Sequence, residues 1–91
     1  MKTSLKENVV YESFDNKKEM MEKILAMIIN SDTDKILYKG DPNEINYKLM
    51  KKVMLKNYTQ KIEPDKVRDM YKNIVENNNN RDFCIIYKDK N

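Results

Sequence analysis

The sequence predicts an α+β fold dominated by helices, with three helices and a small β element of two or three strands. Three observations predict it. Apolar residues recur at helical spacing in three segments, Asp-Pro, Glu-Pro and a run of asparagines delimit those segments, and short β-prone runs lie between and after them. A chain of 91 residues suits one small domain over residues 1–91, with frayed ends at 1–8 and 89–91.

The first predicted helix follows a β-prone stretch. Val9–Phe14 carries four apolar residues and is either a short strand or an extended lead into the helix. Asn16 with Glu19 three residues later matches a capping box, so we expect a helix from about Asn16 to Asn30. Its apolar residues repeat at three and four positions: Met20, Met21, Ile24, Leu25, Met27 and Ile28.

The second predicted helix has the clearest start signal. Residues 31–34 predict a turn, and residues 35–39 predict a brief strand before the single glycine of the chain. Asp41, Pro42 and Glu44 then predict a helix start, because Asp caps the helix, Pro fits its first position and Glu reaches back from the third. Apolar residues cover one broad arc of this helix, and Leu55 lies among the lysines, either incidentally or as part of a contact surface.

The third predicted helix restarts at Pro64 and is the most regular amphipathic segment. Its apolar positions are Val67, Met70, Tyr71, Ile74 and Val75. We expect it to end within residues 77–80, because asparagine tolerates left-handed backbone and four in a row favour a turn. The apolar run at residues 83–87 predicts a final strand that pairs with residues 35–39, since a lone strand leaves its backbone groups without partners.

Lysines collect in one part of the chain. The eighteen residues from Ile45 to Ile62 carry five lysines and no acid, whereas charges elsewhere nearly cancel and the whole chain has a net charge of +3. Such a stripe is either a solvated helix face or a surface for phosphate or for an acidic protein. Together with the polar face of the third helix it gives the candidate nucleic-acid-binding residues, which are Lys48, Lys51, Lys52, Lys56, Lys61, Lys66, Arg68, Lys72 and Asn73.

The composition argues against most enzyme chemistry. The chain has no histidine and one cysteine, so it lacks the usual general base and the ligands of a structural zinc site. Cys84 lies in an apolar β run and is interpreted as a buried structural thiol. Asp32 and Asp34 match a calcium loop poorly, and Gly40 alone cannot form a phosphate-binding loop. A metal nuclease with two carboxylates stays open, but we expect no enzyme, no metal and no cofactor.

Methionines and tyrosines allow two interpretations each. Seven methionines fill the core or form an adaptable partner surface, and we favour the core. Tyr47 and Tyr58 either pack in the core or stack on bases, and their helical phase favours the core. Because a chain this small gains from burying another apolar face, we also expect a homodimer.

The order of elements over residues 35–90 resembles a minimal winged helix-turn-helix. Only spacing and residue character carry this resemblance, which implies that the third helix is the recognition helix and that the lysines of the second contact the DNA backbone. The sequence departs from that fold in its single final strand and in Asp69, which would face phosphate.

Three functional hypotheses follow. The first is a non-enzymatic DNA-binding regulator of a phage, a plasmid or a low-GC bacterium, since the wealth of Asn, Lys and Ile is typical of AT-rich genomes. The alternative is a phage-encoded inhibitor that binds an acidic host protein, such as a nucleic-acid enzyme or a defence system. A third is a structural role. No apolar run would span a bilayer or form a signal peptide, so we expect a cytoplasmic protein that does not enter membranes.

Overall fold

A computed structural model of the chain describes residues 2–6, 9–31, 33–57, 64–77 and 81–89. The α+β class and the three helices are confirmed. In chain order the elements are β1 (Lys2–Lys6), β2 (Val9–Phe14), α1 (Lys17–Asn30), β3 (Thr33–Gly40), a 3-10 turn (Pro42–Glu44), α2 (Tyr47–Asn57), α3 (Pro64–Asn77) and β4 (Phe83–Asp89).

The four strands form one sheet in the order β1-β2-β4-β3. Every pair of neighbours is antiparallel. The expected pairing of the last strand with the strand before Gly40 is confirmed, because Ile36 lies opposite Tyr87 and Tyr38 opposite Ile86. β2 and β4 are therefore the central strands, and β1 and β3 are the edges.

Of the ends expected to be frayed, 1–8 and 89–91, Lys2–Lys6 and Asp89 belong to the sheet, whereas residues 1, 7–8 and 90–91 lie outside the described part of the chain. Lys2–Lys6 pairs with β2, where Thr3 lies opposite Tyr11, so the sheet has four strands rather than two or three. The pairing satisfies backbone groups along one edge of β2, which would otherwise be left without partners beside the core. At the other end, β4 extends to Asp89, which belongs to the sheet.

Helices cover both faces of the sheet. The cluster under α1 consists of Val10, Phe14, Met20, Ile24, Met27, Ile85 and Tyr87. The cluster under α2 and α3 consists of Val9, Tyr11, Ile45, Met50, Met54, Val67, Met70, Ile74, Cys84 and Ile86. Successive side chains of a strand point to opposite faces, so two buried faces explain the continuous apolar run Phe83–Tyr87 of the central strand β4.

The sheet separates α1 from the other two helices. α1 contacts β2 and β4, whereas α2 contacts β3 and α3, and α3 contacts β1. The three helices therefore do not pack into a single bundle. Among the described helices, none combines the length and the apolarity that spanning a bilayer requires.

The starts of α1 and α2 are capped by side chains. The cap of α1 is the expected residue, whereas the cap of α2 is a different one. Asn16 caps α1 as expected, since its Oδ1 accepts a hydrogen bond from the Glu19 N–H at 2.9 Å. Asp41, however, caps only the 3-10 turn. α2 begins at Tyr47, and Asn46 caps it by accepting from the Leu49 N–H at 2.8 Å. The expected start at Asp41 was wrong because Ile45, which is buried, keeps an extended backbone between the turn and the helix.

Candidate nucleic-acid interface

The lysines of α2 lie on its solvent side. Met50 and Met54 are buried and fix the side of the helix that faces the sheet. Lys48, Lys51 and Lys52 are exposed and, at about 100° per residue, share an arc of roughly 100° on the outer side. The predicted exposure of these lysines is confirmed. α2 contains no acidic residue, so no carboxylate of its own helix can pair with them.

Some of the candidate residues lie outside the described part of the chain. This holds for the side chains of Leu55 and Lys56 and for Tyr58 and Lys61. The interface described below is therefore limited to α2 up to Met54 and to α3.

The polar side of α3 is divided between two edges. Val67, Met70 and Ile74 are buried and define its core-facing side. Measured around the helix from that side, Arg68 lies on one edge and Lys72 lies on the outermost side. The exposed Lys66 and the half-buried Asn73 lie on the opposite edge. The four candidate residues of α3 therefore do not share one surface.

Acidic residues occupy the outermost part of α3, between those two edges. They are Asp65, Asp69 and Glu76, and all are exposed. Helical spacing places Lys72 within one turn of Asp69 and of Glu76, so this part of the helix alternates in sign. Alternating charge is typical of a solvated helix face and opposes close approach of phosphate.

A contact between Tyr47 and Arg68 joins the basic edge of α3 to α2. The guanidinium carbon of Arg68 lies 5.7 Å from the centre of the Tyr47 ring. Tyr47 is half-buried and packs against the core under α2 and α3, so the core interpretation of this tyrosine is confirmed. Lys51 follows Tyr47 by four residues and lies on the same edge of α2.

The positive side chains on this side of the molecule thus form one region, which we call the basic surface. It consists of Lys48, Lys51, Lys52 and Arg68. The sequence gives no signal of the Tyr47–Arg68 contact, because the two residues lie far apart along the chain.

The cysteine and most of the described methionines lie in the core. Cys84 is free and fully buried. Burial raises the pKa of its thiol to about 12. The thiol is therefore protonated at neutral pH, which makes it a poor nucleophile. The core interpretation of the methionines is confirmed for Met20, Met27, Met50, Met54 and Met70, whereas Met21 is 45% exposed.

A cavity lies on the other side of the sheet from the basic surface. It has a volume of about 640 Å³ and is open to solvent. Its lining comes from α1 and from the neighbouring ends of β3 and β4, with Met21, Gly40 and Phe83 among the residues. Its charge is balanced by two lysines and two aspartates, which are Lys17, Lys39, Asp41 and Asp82. Within the described residues, no three acidic or thiol side chains converge on a point that a metal ion could occupy.

Comparison of the chain with protein-family models, with curated proteins and with solved structures finds no match. The functional argument therefore rests on the surfaces of this molecule.

Proposed function

We propose that the protein binds duplex DNA through the basic surface and does so by contacts to phosphate. The observation that carries this proposal is the exposure of Lys48, Lys51 and Lys52 on a helix without any acid. Each phosphate that a lysine neutralises releases condensed counterions, which gives affinity without a demanding geometry. The flexible lysine side chain suits such contacts because it acts as a point charge.

The proposed mode of binding uses the DNA backbone and does not use the base edges. A winged helix-turn-helix would insert α3 into the major groove. Here the outermost side of α3 carries Asp65, Asp69 and Glu76, which phosphates on both sides of a groove would repel. The separation of α1 from α2 and α3 also differs from the compact helical unit of that fold. We therefore expect little sequence preference, because phosphate contacts fix position and carry no sequence information.

Inhibition of an acidic host protein is the second candidate. The observation in its favour is the row of α3 acids along the border of the basic surface. A mixed-sign border complements a protein surface, which has charges of both signs, better than it complements uniformly negative DNA. The same lysines would then contact carboxylates of the partner.

The test compares two variants that have the same net charge. The first replaces Lys48, Lys51 and Lys52 with Gln. The control replaces Lys17, Lys39 and Lys66 with Gln. These lysines are also exposed but lie outside the basic surface. Binding of a labelled random duplex is followed by fluorescence anisotropy from about 50 to 300 mM salt.

We expect the first variant to lose affinity and to reduce the slope of log K against log salt by about 2 to 3, because each lost phosphate contact removes roughly 0.9 from it. The control should keep most of the wild-type affinity and slope. Equal losses in both variants would show that net charge, and not the basic surface, controls binding. Failure of the wild type to bind at low salt would contradict the proposal, and co-purification of one acidic protein with the wild type but not with the first variant would support inhibition.

A further inference from the structure

α1 has an apolar stripe that the fold leaves uncovered. Met21, Leu25, Ile28 and Ile29 are 45%, 58%, 61% and 71% exposed, although they are large and apolar. They occupy positions i, i+4, i+7 and i+8, so they line one side of the helix over about 12 Å. The buried residues of the helix, Met20, Ile24 and Met27, lie on a different side. α1 therefore has one apolar side for the sheet and a second that the rest of the described chain does not bury.

The stripe continues into a groove beside the helix. Met21 lines the 640 Å³ cavity together with Gly40 and Phe83, so one end of the stripe borders an open space next to β3. Ile36 of β3 is half-buried and packs against the same cluster as α1. A second helix laid against the stripe would thus also cover part of this groove.

The charges at the two ends of α1 favour one kind of helix as the partner that covers the stripe. The first turn of α1 contains Lys17, Lys18 and Glu19, whereas its last turn has no basic residue. Helical spacing places the two lysines towards the stripe and Glu19 away from it. Cations at a helix N-terminus oppose the helix dipole, and cations near a C-terminus favour it. An antiparallel copy of α1 would place Lys18 beside the last turn of its partner, near Asn30 and Ser31. The same complementarity would arise twice in a two-fold arrangement.

We propose that the stripe is a homodimer interface in which α1 packs antiparallel to α1 of a second copy of this chain. The two-fold axis passes close to Leu25, so that Leu25 meets its own counterpart and Met21 meets the partner's Ile29. An interface of this kind is self-complementary, as two-fold symmetry requires. A lipid surface fits less well, because Glu19 and Glu22 leave the exposed part of the helix without the net positive charge that attracts anionic lipids.

This proposal does not depend on DNA binding, because the stripe and the basic surface lie on opposite sides of the sheet. The first experiment measures molar mass by light scattering after size exclusion, at about 100 µM protein, where even a micromolar dimer is populated. It compares the wild type with Leu25→Glu and with the control Val75→Glu. Leu25 and Val75 are both 58% exposed, but Val75 is on α3.

We expect a dimer for the wild type and for Val75→Glu, and a monomer for Leu25→Glu, whose dissociation constant should rise about a thousandfold as two carboxylates meet at the axis. Circular dichroism should show the same helix content in all three proteins. A monomeric wild type would overturn the proposal, and so would a dimer that survives Leu25→Glu.

The second experiment tests the antiparallel geometry by oxidation of introduced cysteines. Leu25→Cys should form a covalent dimer by itself, whereas Met21→Cys and Ile29→Cys should cross-link only when the two variants are mixed. The wild type is the background, since its Cys84 is buried. Efficient cross-linking of Met21→Cys with itself would indicate a parallel pair and would overturn the antiparallel arrangement.

Discussion

The Arg68 guanidinium stacks over the ring of Tyr47, with 5.7 Å between the guanidinium carbon and the ring centre. Tyr47 is the first residue of α2, and Arg68 lies in the N-terminal half of α3. The contact therefore lies where α2, which carries the lysines, meets the edge of α3 that carries Arg68. A contact of this kind contributes about 0.5 to 1 kcal/mol at an exposed site, so its effect on stability is small.

Replacement of Arg68 by Gln should weaken DNA binding more than replacement of Lys66 by Gln. Both changes remove one positive charge from α3, but only Arg68 belongs to the basic surface. We expect Arg68→Gln to lower affinity by roughly threefold to tenfold at low salt, through loss of about one phosphate contact. Anisotropy titrations of the two variants make the comparison. Equal effects would mean that both edges of α3 approach the DNA.

Replacement of Asn46 by Ala should destabilise the protein more than replacement of Asp41 by Ala. Asn46 caps α2, an eleven-residue helix that covers the sheet, whereas Asp41 caps a turn of three residues. Loss of a helix cap costs about 1 kcal/mol, which lowers the melting temperature of a domain this small by about 4 to 8 °C. Thermal denaturation followed by circular dichroism measures both changes. A larger loss in Asp41→Ala would contradict the assignment of the cap.

The pattern of the sequence predicted those elements whose signals are local. α1 and α3 follow from apolar periodicity and from start signals at Asn16 and Pro64. The final strand follows from its β-prone run, and its pairing with β3 follows from the need for backbone partners. For α2, both Asp41 and Asn46 are residues that can cap a helix. Asp41 has the stronger local motif but caps only a 3-10 turn, and the helix begins after Asn46.

The features that the sequence did not predict depend on tertiary packing. β1 is polar apart from Leu5, so its place in the sheet comes from the open edge of β2 and not from its own residues. In α1, apolar residues cover so wide an arc that periodicity could not tell which of them face the sheet, and Leu25 and Ile28 were assigned to the apolar side without distinction. The division of the α3 residues between two edges likewise becomes visible only when the buried side of the helix is known.

Alkaline pH should destabilise the fold through two buried groups. Burial raises the pKa of the Cys84 thiol from its ordinary 9.0 to about 12, and it raises the pKa of the Tyr11 phenol as well. The unfolded chain releases the thiol proton near pH 9, whereas the folded chain keeps it until about pH 12. The stabilising contribution is therefore fully present below pH 9 and is lost as the pH rises towards 12.

The free energy of unfolding should fall by up to about 1.4 kcal/mol per pH unit for each group, from about pH 9 for the thiol and from about pH 10 for the phenol. Urea denaturation at pH 7, 9 and 10.5 measures the slope. The control is Cys84→Ala, which removes one of the groups and should give a shallower decline above pH 9, even though the lost side chain lowers stability at neutral pH. If the variant and the wild type declined with the same slope, ionisation of Cys84 would not be coupled to unfolding.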